Sequence, residues 1–177
     1  APAVLSLAHA MRTGSRVLAA AAPLMRSLAE RERLNVGLAA PDRDEMVYLE
    51  SIRYNRRVAF RTVVSGQRVP MELTSLGRAY LATVSARERT ALVAVFKRRR
   101  ASQWETLREE IDSATRQVVE EGYCAASWQP EVLAVATPLL TSTATYSLNV
   151  SVSTTEAMDD VVRRLAPKLL TLRGDVQ

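Results

Sequence analysis

The sequence predicts an α+β domain in which helices pack on a sheet of about six strands. Three observations lead there. Apolar side chains recur at three- and four-residue steps in residues 4–32 and again in residues 156–173, the period of a helix buried along one stripe. Between residues 35 and 64 the texture changes to short runs of Val, Ile, Tyr and Phe broken by turn residues, the signature of strands. Residues 145–153 alternate, with Tyr146, Leu148, Val150 and Val152 set against Thr145, Ser147, Asn149, Ser151 and Ser153. One face of that strand is therefore apolar and the other short and polar. Helices and strands fall in separate runs, which favours antiparallel pairing.

The elements follow in order. Residues 4–32 are rich in strong helix formers, but Gly14 weakens the middle and Pro23 lacks an N–H, so two helices or one sharply kinked helix are expected, with Pro23 in the first turn of the second. This arm either packs on the same domain or serves as a connector and dimer surface. Residues 35–40 and 45–54 flank the polar turn Pro41-Asp42-Arg43-Asp44 and read as a hairpin. Residues 57–64 read as a third strand, with Val58, Phe60, Thr62 and Val64 on one face. Gly66 and Pro70 mark a loop, after which Thr74 can cap a helix over residues 75–84. Ser85 with Glu88, and Ser102 with Glu105, have capping-box spacing and open two further helices, the second ending at Gly122. Residues 123–129, 132–140 and 145–153 supply the remaining strands, and 132–140, apolar on both faces, should be central. Pro167 should bend the last helix.

Composition narrows the function. A chain of 177 residues, 47% hydrophobic and 24% charged, can bury one core and is neither disordered nor collagenous. The alanine-rich start is interrupted by His9, Arg12, Arg16, Pro23 and Arg26, and no eighteen uncharged apolar residues run together, so neither a spanning helix nor a signal peptide is expected and the location should be cytoplasmic. Cys124 has no second cysteine to pair with, and the single His9 leaves no cluster of zinc-ligand spacing, so no metal is expected and no cofactor is implied. Lys and Arg outnumber Asp and Glu by 24 to 19, a net charge of +5 that raises an anionic partner. Two tryptophans, five tyrosines and two phenylalanines are too few for a stacking platform on single-stranded nucleic acid.

No nucleophile-base-orienter set is visible, because the only histidine lies in the helical arm. Asp42, Asp44 and Glu50 are carboxylates of a hairpin, and the scattered glycines form no phosphate loop. Lys97-Arg98-Arg99-Arg100 could touch nucleic-acid phosphate or could simply complement the carbonyl end of a helix. The hydroxyls of residues 145–153 suit either a polar ligand or an ordinary exposed face. The segment Pro70 to Gly77 leads into a helix whose first N–H groups point outward, which suits a carboxylate or an ordinary capped start.

In sequence order, Leu24-Met25-Arg26-Ser27-Leu28-Ala29, Asn35-Val36-Gly37-Leu38-Ala39, Met46-Val47-Tyr48-Leu49-Glu50-Ser51-Ile52, Gly66-Gln67-Arg68-Val69-Pro70-Met71 and Thr74-Ser75-Leu76-Gly77-Arg78-Ala79-Tyr80-Leu81-Ala82 form a recognisable series. It continues with Glu121-Gly122-Tyr123, Ala134-Val135-Ala136-Thr137-Pro138-Leu139 and Leu148-Asn149-Val150-Ser151-Val152-Ser153. The series resembles the effector-binding domain of IclR-type bacterial transcription regulators over nearly the whole chain. The resemblance implies a twisted antiparallel sheet related to GAF and PAS domains, with residues 1–32 as linker and dimerisation helices and 33–177 as the effector-binding domain. It implies no enzyme but a small-molecule sensor, taking a carboxylate, that acts as a homodimer or tetramer away from membranes. Operator DNA would be bound by a winged helix-turn-helix domain normally preceding this region.

Carried over by position, the resemblance places the pocket at Ser75, Leu76, Ala126, Ala134, Ser151 and Ser153, with Val58 and Phe60 as an apolar wall. Ser75-Leu76 stands where Gly-Ala is frequent, Ala134 where cysteine is frequent, and Ala126 near a frequent acid. These departures imply a narrower, less polar pocket and a ligand other than a two- or three-carbon oxoacid. Two other readings compete: a small hydrolase or isomerase using the same pocket, and a direct DNA binder acting through Arg98 to Arg100.

Overall fold

The computed structural model describes residues 14–54 and 65–177, together with Ala3, Ser6 and Ala10. Val58, Phe60 and the expected strand over residues 57–64 lie outside the described residues, as does most of the first of the two expected N-terminal helices. Helix α1 (Arg16–Glu32) starts at Ser15, whose hydroxyl accepts from the Leu18 N–H at 3.4 Å, and ends at Arg33 in the left-handed region at φ 57°. Pro23 sits inside this continuous helix and not in a first turn. An interior proline costs roughly 3 kcal/mol, and the helix survives it because Leu18, Ala21, Met25, Leu28 and Ala29 are buried in the core. The described part of the arm therefore packs on its own domain.

Strands β1 (Asn35–Asp42) and β2 (Glu45–Ile52) form the expected hairpin, followed by the short β3 (Arg68–Pro70). The turn is tighter than the four residues expected. Pro41 pairs with Met46 and Asp42 with Glu45, leaving Arg43 and Asp44 at the tip, with Arg43 at φ 60°. Helices α2 (Ser75–Leu81), α3 (Ala86–Arg99) and α4 (Trp104–Glu121) come next, then β4 (Cys124–Gln129), β5 (Val132–Leu140), β6 (Thr145–Ser153) and α5 (Met158–Val176). All strand pairs are antiparallel, in the order β3-β2-β1-β6-β5-β4.

Two capping boxes were expected and neither closes fully. Ser85 accepts from the Glu88 N–H at 3.2 Å, but the Glu88 carboxylate takes the Tyr80 hydroxyl at 2.9 Å. Ser102 falls inside a 3-10 turn, Ala101–Gln103, and α4 begins at Trp104 without a side-chain cap. Helix α2 stops at Leu81, short of residue 84, and α5 starts at Met158, because Glu156 belongs to the preceding turn and pairs with Arg164 at 2.7 Å. Gly122 does end α4, at φ 84°. Its carbonyl accepts from the Thr137 hydroxyl at 2.7 Å, and Arg173 reaches that hydroxyl at 3.1 Å, tying α4, β5 and α5 together.

The sheet separates two apolar layers. On one side Val36, Leu38, Leu133, Val135, Leu139, Leu148 and Val150 pack against Met25 and Leu28 of α1 and Val161, Leu165 and Leu169 of α5. On the other, Ala39, Met46, Cys124 and Ala136 meet α2, α3 and α4 through Leu76, Ala79, Phe96, Trp104, Leu107 and Ile111. Strand alternation supplies both sets, odd and even positions taking opposite faces.

Two members of the basic run at the end of α3, Arg99 and Arg100, are engaged within the chain, while Lys97 and Arg98 are exposed. Glu72, fully buried before α2, faces the Arg100 Nε at 3.0 Å and the Arg99 Nη1 at 3.5 Å, and Arg99 also pairs with Asp44 at the hairpin tip. Arg78 donates to the Glu72 carbonyl at 3.1 Å and to Glu110 on α4 at 2.5 Å. Among the described residues no helix is long and apolar enough to cross a membrane. Replacing Arg100 by Met keeps the aliphatic stem but leaves the buried carboxylate to Arg99 alone, and should cost about 3 kcal/mol in urea unfolding. Arg163→Met, at an exposed pair with Asp160, should leave the midpoint in place.

Candidate functional site

The face of the sheet toward α2 is built from small and polar side chains, and registry sets them in rows. Ala126 lies opposite Ala134, Ala134 opposite Ser151, and Ser151 opposite Asn35. The next row runs Cys124, Ala136, Asn149, Gly37 and Ser51 across five strands. Directly paired residues share a face, so these rows form one continuous floor.

Gly37 makes that floor possible. A Cβ there would lie 2.5 Å from both the Asn149 Oδ1 and the Tyr48 ring, so the absence of a side chain lets Tyr48 and Asn149 meet over β1. Burial pushes the Tyr48 hydroxyl up to about 12, opposed by a hydrogen bond from Asn149 and by the charge of Arg53. Tyr48 belongs to the floor because β2 carries a bulge. Leu38 pairs with Glu50 and Ala39 with Tyr48, so Leu49 is an extra residue. Met46 and Tyr48 precede the bulge on the α2 side; after it, Ile52 enters the layer beneath α1 and Ser51 lies opposite Gly37.

The residues carried over from the resemblance come to three places. Ala134 and Ser151 sit side by side on the floor, with Ala126 at the end of their row, and Ser153 is exposed at the end of β6. Ser75 opens α2, where Thr74 caps the helix through its hydroxyl at 3.2 Å from the Gly77 N–H, and the Ser75 carbonyl accepts from the Cys124 thiol at 3.5 Å. Leu76 is buried in the apolar layer with Met71 and Ala79. The side-chain oxygens Ser75 Oγ, Ser147 Oγ and Asn35 Oδ1 are buried without a hydrogen-bond partner. An unmet buried polar atom costs about 1–3 kcal/mol; Asn35 and Ser147 stand on this face four residues apart along the β1–β6 pair, and Ser75 opens α2. Ala126 also lines a cleft of about 590 Å³ at the free edge of β4, bounded by Arg78 and Glu110 on one side and Met158 and Asp159 on the other.

Sequence reasoning missed Asn35, Tyr48, Ser147 and Asn149 as site residues. The signal for Ser147 and Asn149 was present in the β6 alternation that singled out Ser151, whereas Asn35 and Tyr48 depend on a register and a bulge that only pairing reveals. Cys124 offers no nucleophile, because burial pushes its thiol up to about 12.

A six-stranded antiparallel sheet with α1 and α5 behind it and α2, α3 and α4 in front defines an α+β domain of the kind found at the C-terminal end of bacterial transcription regulators. The family model for the bacterial transcriptional regulator IclR C-terminal region matches residues 9–175, and the chain belongs to that family. Its fold superposes on an IclR family transcriptional regulator from Brucella abortus with a TM-score of 0.86 and 28% identity, covering 98% of this chain and 67% of that one. The C-terminal domain of the E. coli regulator KdgR gives 0.73 and 20%, covering 92% and 96%. An IclR homolog from Microbacterium hydrocarbonoxydans, solved in complex with 4-hydroxybenzoate, gives 0.69 and 21%, covering 91% and 68%; at that identity the likeness is one of fold. None of the curated proteins matches the chain.

Because burial holds the Cys124 thiol and the Tyr48 hydroxyl neutral, their contribution to stability is intact below their ordinary values of 9.0 and 10.0 and is lost as pH rises through about 12. Unfolding free energy measured from pH 8 to 12 should therefore fall, and Cys124→Ala should remove the part of that fall that begins near pH 9. A slope unchanged by the substitution would show that the thiol is not held neutral by the fold.

Proposed function

We propose that this chain is the small-molecule-sensing domain of an IclR-type regulator, binding a carboxylate on the floor between α2 and the sheet and controlling the DNA binding of a winged helix-turn-helix domain. One observation carries the reading: side-chain oxygens of Ser75, Ser147 and Asn35 are buried without partners, the latter two on a sheet face that also carries Ala134, Ala136, Gly37 and Ser151. The ligand-bound Microbacterium homolog shares the fold and supports a guest of this class. Ser151 and Ala134 form the centre of the site, Ser75 borders it from α2, and Leu76 contributes apolar packing behind it. The domain acts in the cytoplasm as a dimer or tetramer, with residues 1–32 joining the sensor to the DNA-binding module.

The tie to function is thermodynamic. A ligand moves such a regulator only by its difference in affinity between DNA-competent and DNA-incompetent arrangements; a difference of about 2 kcal/mol changes occupancy roughly thirtyfold. The floor shares strands with the layer beneath α1, since Asn35 and Gly37 alternate along β1 with Val36 and Leu38, which pack in the layer that holds Met25 and Leu28. Strain in β1 reaches the arm through one sheet thickness.

A thermal-shift screen of aliphatic and aromatic carboxylates tests the proposal. A binder at about one hundred times its Kd should stabilise the domain by about 2.7 kcal/mol. Ser151→Leu should abolish that gain while leaving the unliganded far-UV circular dichroism unchanged. No stabilisation by any carboxylate, an equal gain in Ser151→Leu, or chemical turnover of the bound compound would each overturn it.

A further inference from the structure

The two edges of the sheet are unequal. Edge strand β3 has three residues, ends in Pro70 and carries Arg68 in ion pairs with Asp42 and Glu45, both at 2.6 Å. Shortness, proline and charge each discourage a further strand from adding there. Edge strand β4 has six residues with neither a charged side chain nor a proline, and its neighbour in the sheet is β5 alone. Its free side is not covered either. Ala125, Ala126 and Ser127 form the bed of the cleft of about 590 Å³, with α4 on one face of the sheet and the first turn of α5 on the other. The walls of this channel differ in chemistry. On α4, Glu109, Ser113 and Gln117 follow at steps of four and so share one side of the helix. Glu109 is exposed and has no ion-pair partner among the described residues, whereas Arg78, the cation lining the cleft, is already held by Glu110 and the Glu72 carbonyl. On α5 the wall is apolar, formed by Val162 and by Met158, which is 40% exposed, with the unpaired Asp159 beside it.

We propose that the free edge of β4 docks an extended segment of a partner protein in which basic and apolar residues alternate, adding as one more strand with its Lys or Arg toward α4 and its apolar side chains toward Met158 and Val162. The proposal goes beyond the sensing function and does not depend on it. An extended chain beside β4 sends alternate side chains toward opposite walls, so main-chain hydrogen bonds to the edge supply affinity and the two walls select the sequence. Charge complementarity favours this occupant over a second copy. Edge-to-edge pairing of two β4 strands about an axis normal to the sheet would set α4 beside α4, bringing Glu109 and its neighbouring acids against their own kind.

Fluorescence anisotropy of a labelled, end-blocked peptide of alternating lysine and valine, six residues long, titrated with the whole chain tests the proposal. Saturable binding is expected. Glu109→Lys should weaken it about fivefold, whereas Glu120→Lys, at an exposed acid of the same helix that does not line the cleft, should leave it unchanged. Two further peptides, N-methylated at every lysine or at every valine, lose the donors along one or the other side of the strand. One of them should fail to bind and the other should bind like the parent. No saturable binding of the parent peptide, equal binding of both methylated forms, or equal weakening by Glu109→Lys and Glu120→Lys would each overturn the proposal. Displacement of the peptide as the chain itself dimerises would assign the edge to a second copy and overturn it as well.

Discussion

A single antiparallel sheet that must be covered on both faces is the constraint on which this molecule rests. The two coverings differ in kind. Behind the sheet, Leu and Val on β1, β5 and β6 pack against α1 and α5. In front, the strands offer mostly Ala, Gly, Ser and Asn, whose small volumes cannot fill the space beneath a helix to the density of a protein interior. Bulk on that side comes from α2, α3 and α4 through Leu76, Phe96, Trp104 and Ile111. The helices thus close the face over Ala39, Cys124 and Ala136, and the polar Ser147 and Asn149 are buried on that same face.

Charge holds the front layer where shape does not. Helix α2 has only seven residues, too few for a stable helix by itself. It is fastened at its entrance by Thr74, which caps it and donates to the Pro70 carbonyl at 2.9 Å, and by Glu72, whose carboxylate collects Arg99 and Arg100 from the end of α3. The last two cations of the densest basic stretch thus form an internal fastening. Its link through Asp44 also anchors the tip of the first hairpin to the same point.

Much of this could be read from residue order. The alternation in residues 145–153 marks both the strand and its polar side because the period is unbroken, whereas β5, apolar on both faces, is covered on both sides but lies next to the edge strand β4, the centre being β1 and β6. Gly122 was legible as a helix end because a left-handed φ favours glycine. What escaped depends on competition between neighbours. Pro23 was taken for a helix start, but burial on both sides of it outweighs one lost hydrogen bond. Ser102 had the spacing of a cap and lost to a 3-10 turn. Ser151 and Ala134, both carried over by the resemblance, are adjacent across strands. That Asn35 and Tyr48 share this face is not legible locally, since nothing in the sequence states which residue of β1 pairs with which residue of β2.

The extra residue at Leu49 acts as a phase shifter. Downstream of it every side chain of β2 is exchanged between the two sides, so Ile52 joins the layer beneath α1 and Ser51 lies opposite Gly37. Chain length here is therefore a more powerful variable than side-chain identity: deleting one amino acid between Tyr48 and Ser51 would send Ile52 to the face of Gly37 and Ser51 to the layer beneath α1 without altering any other letter of the sequence.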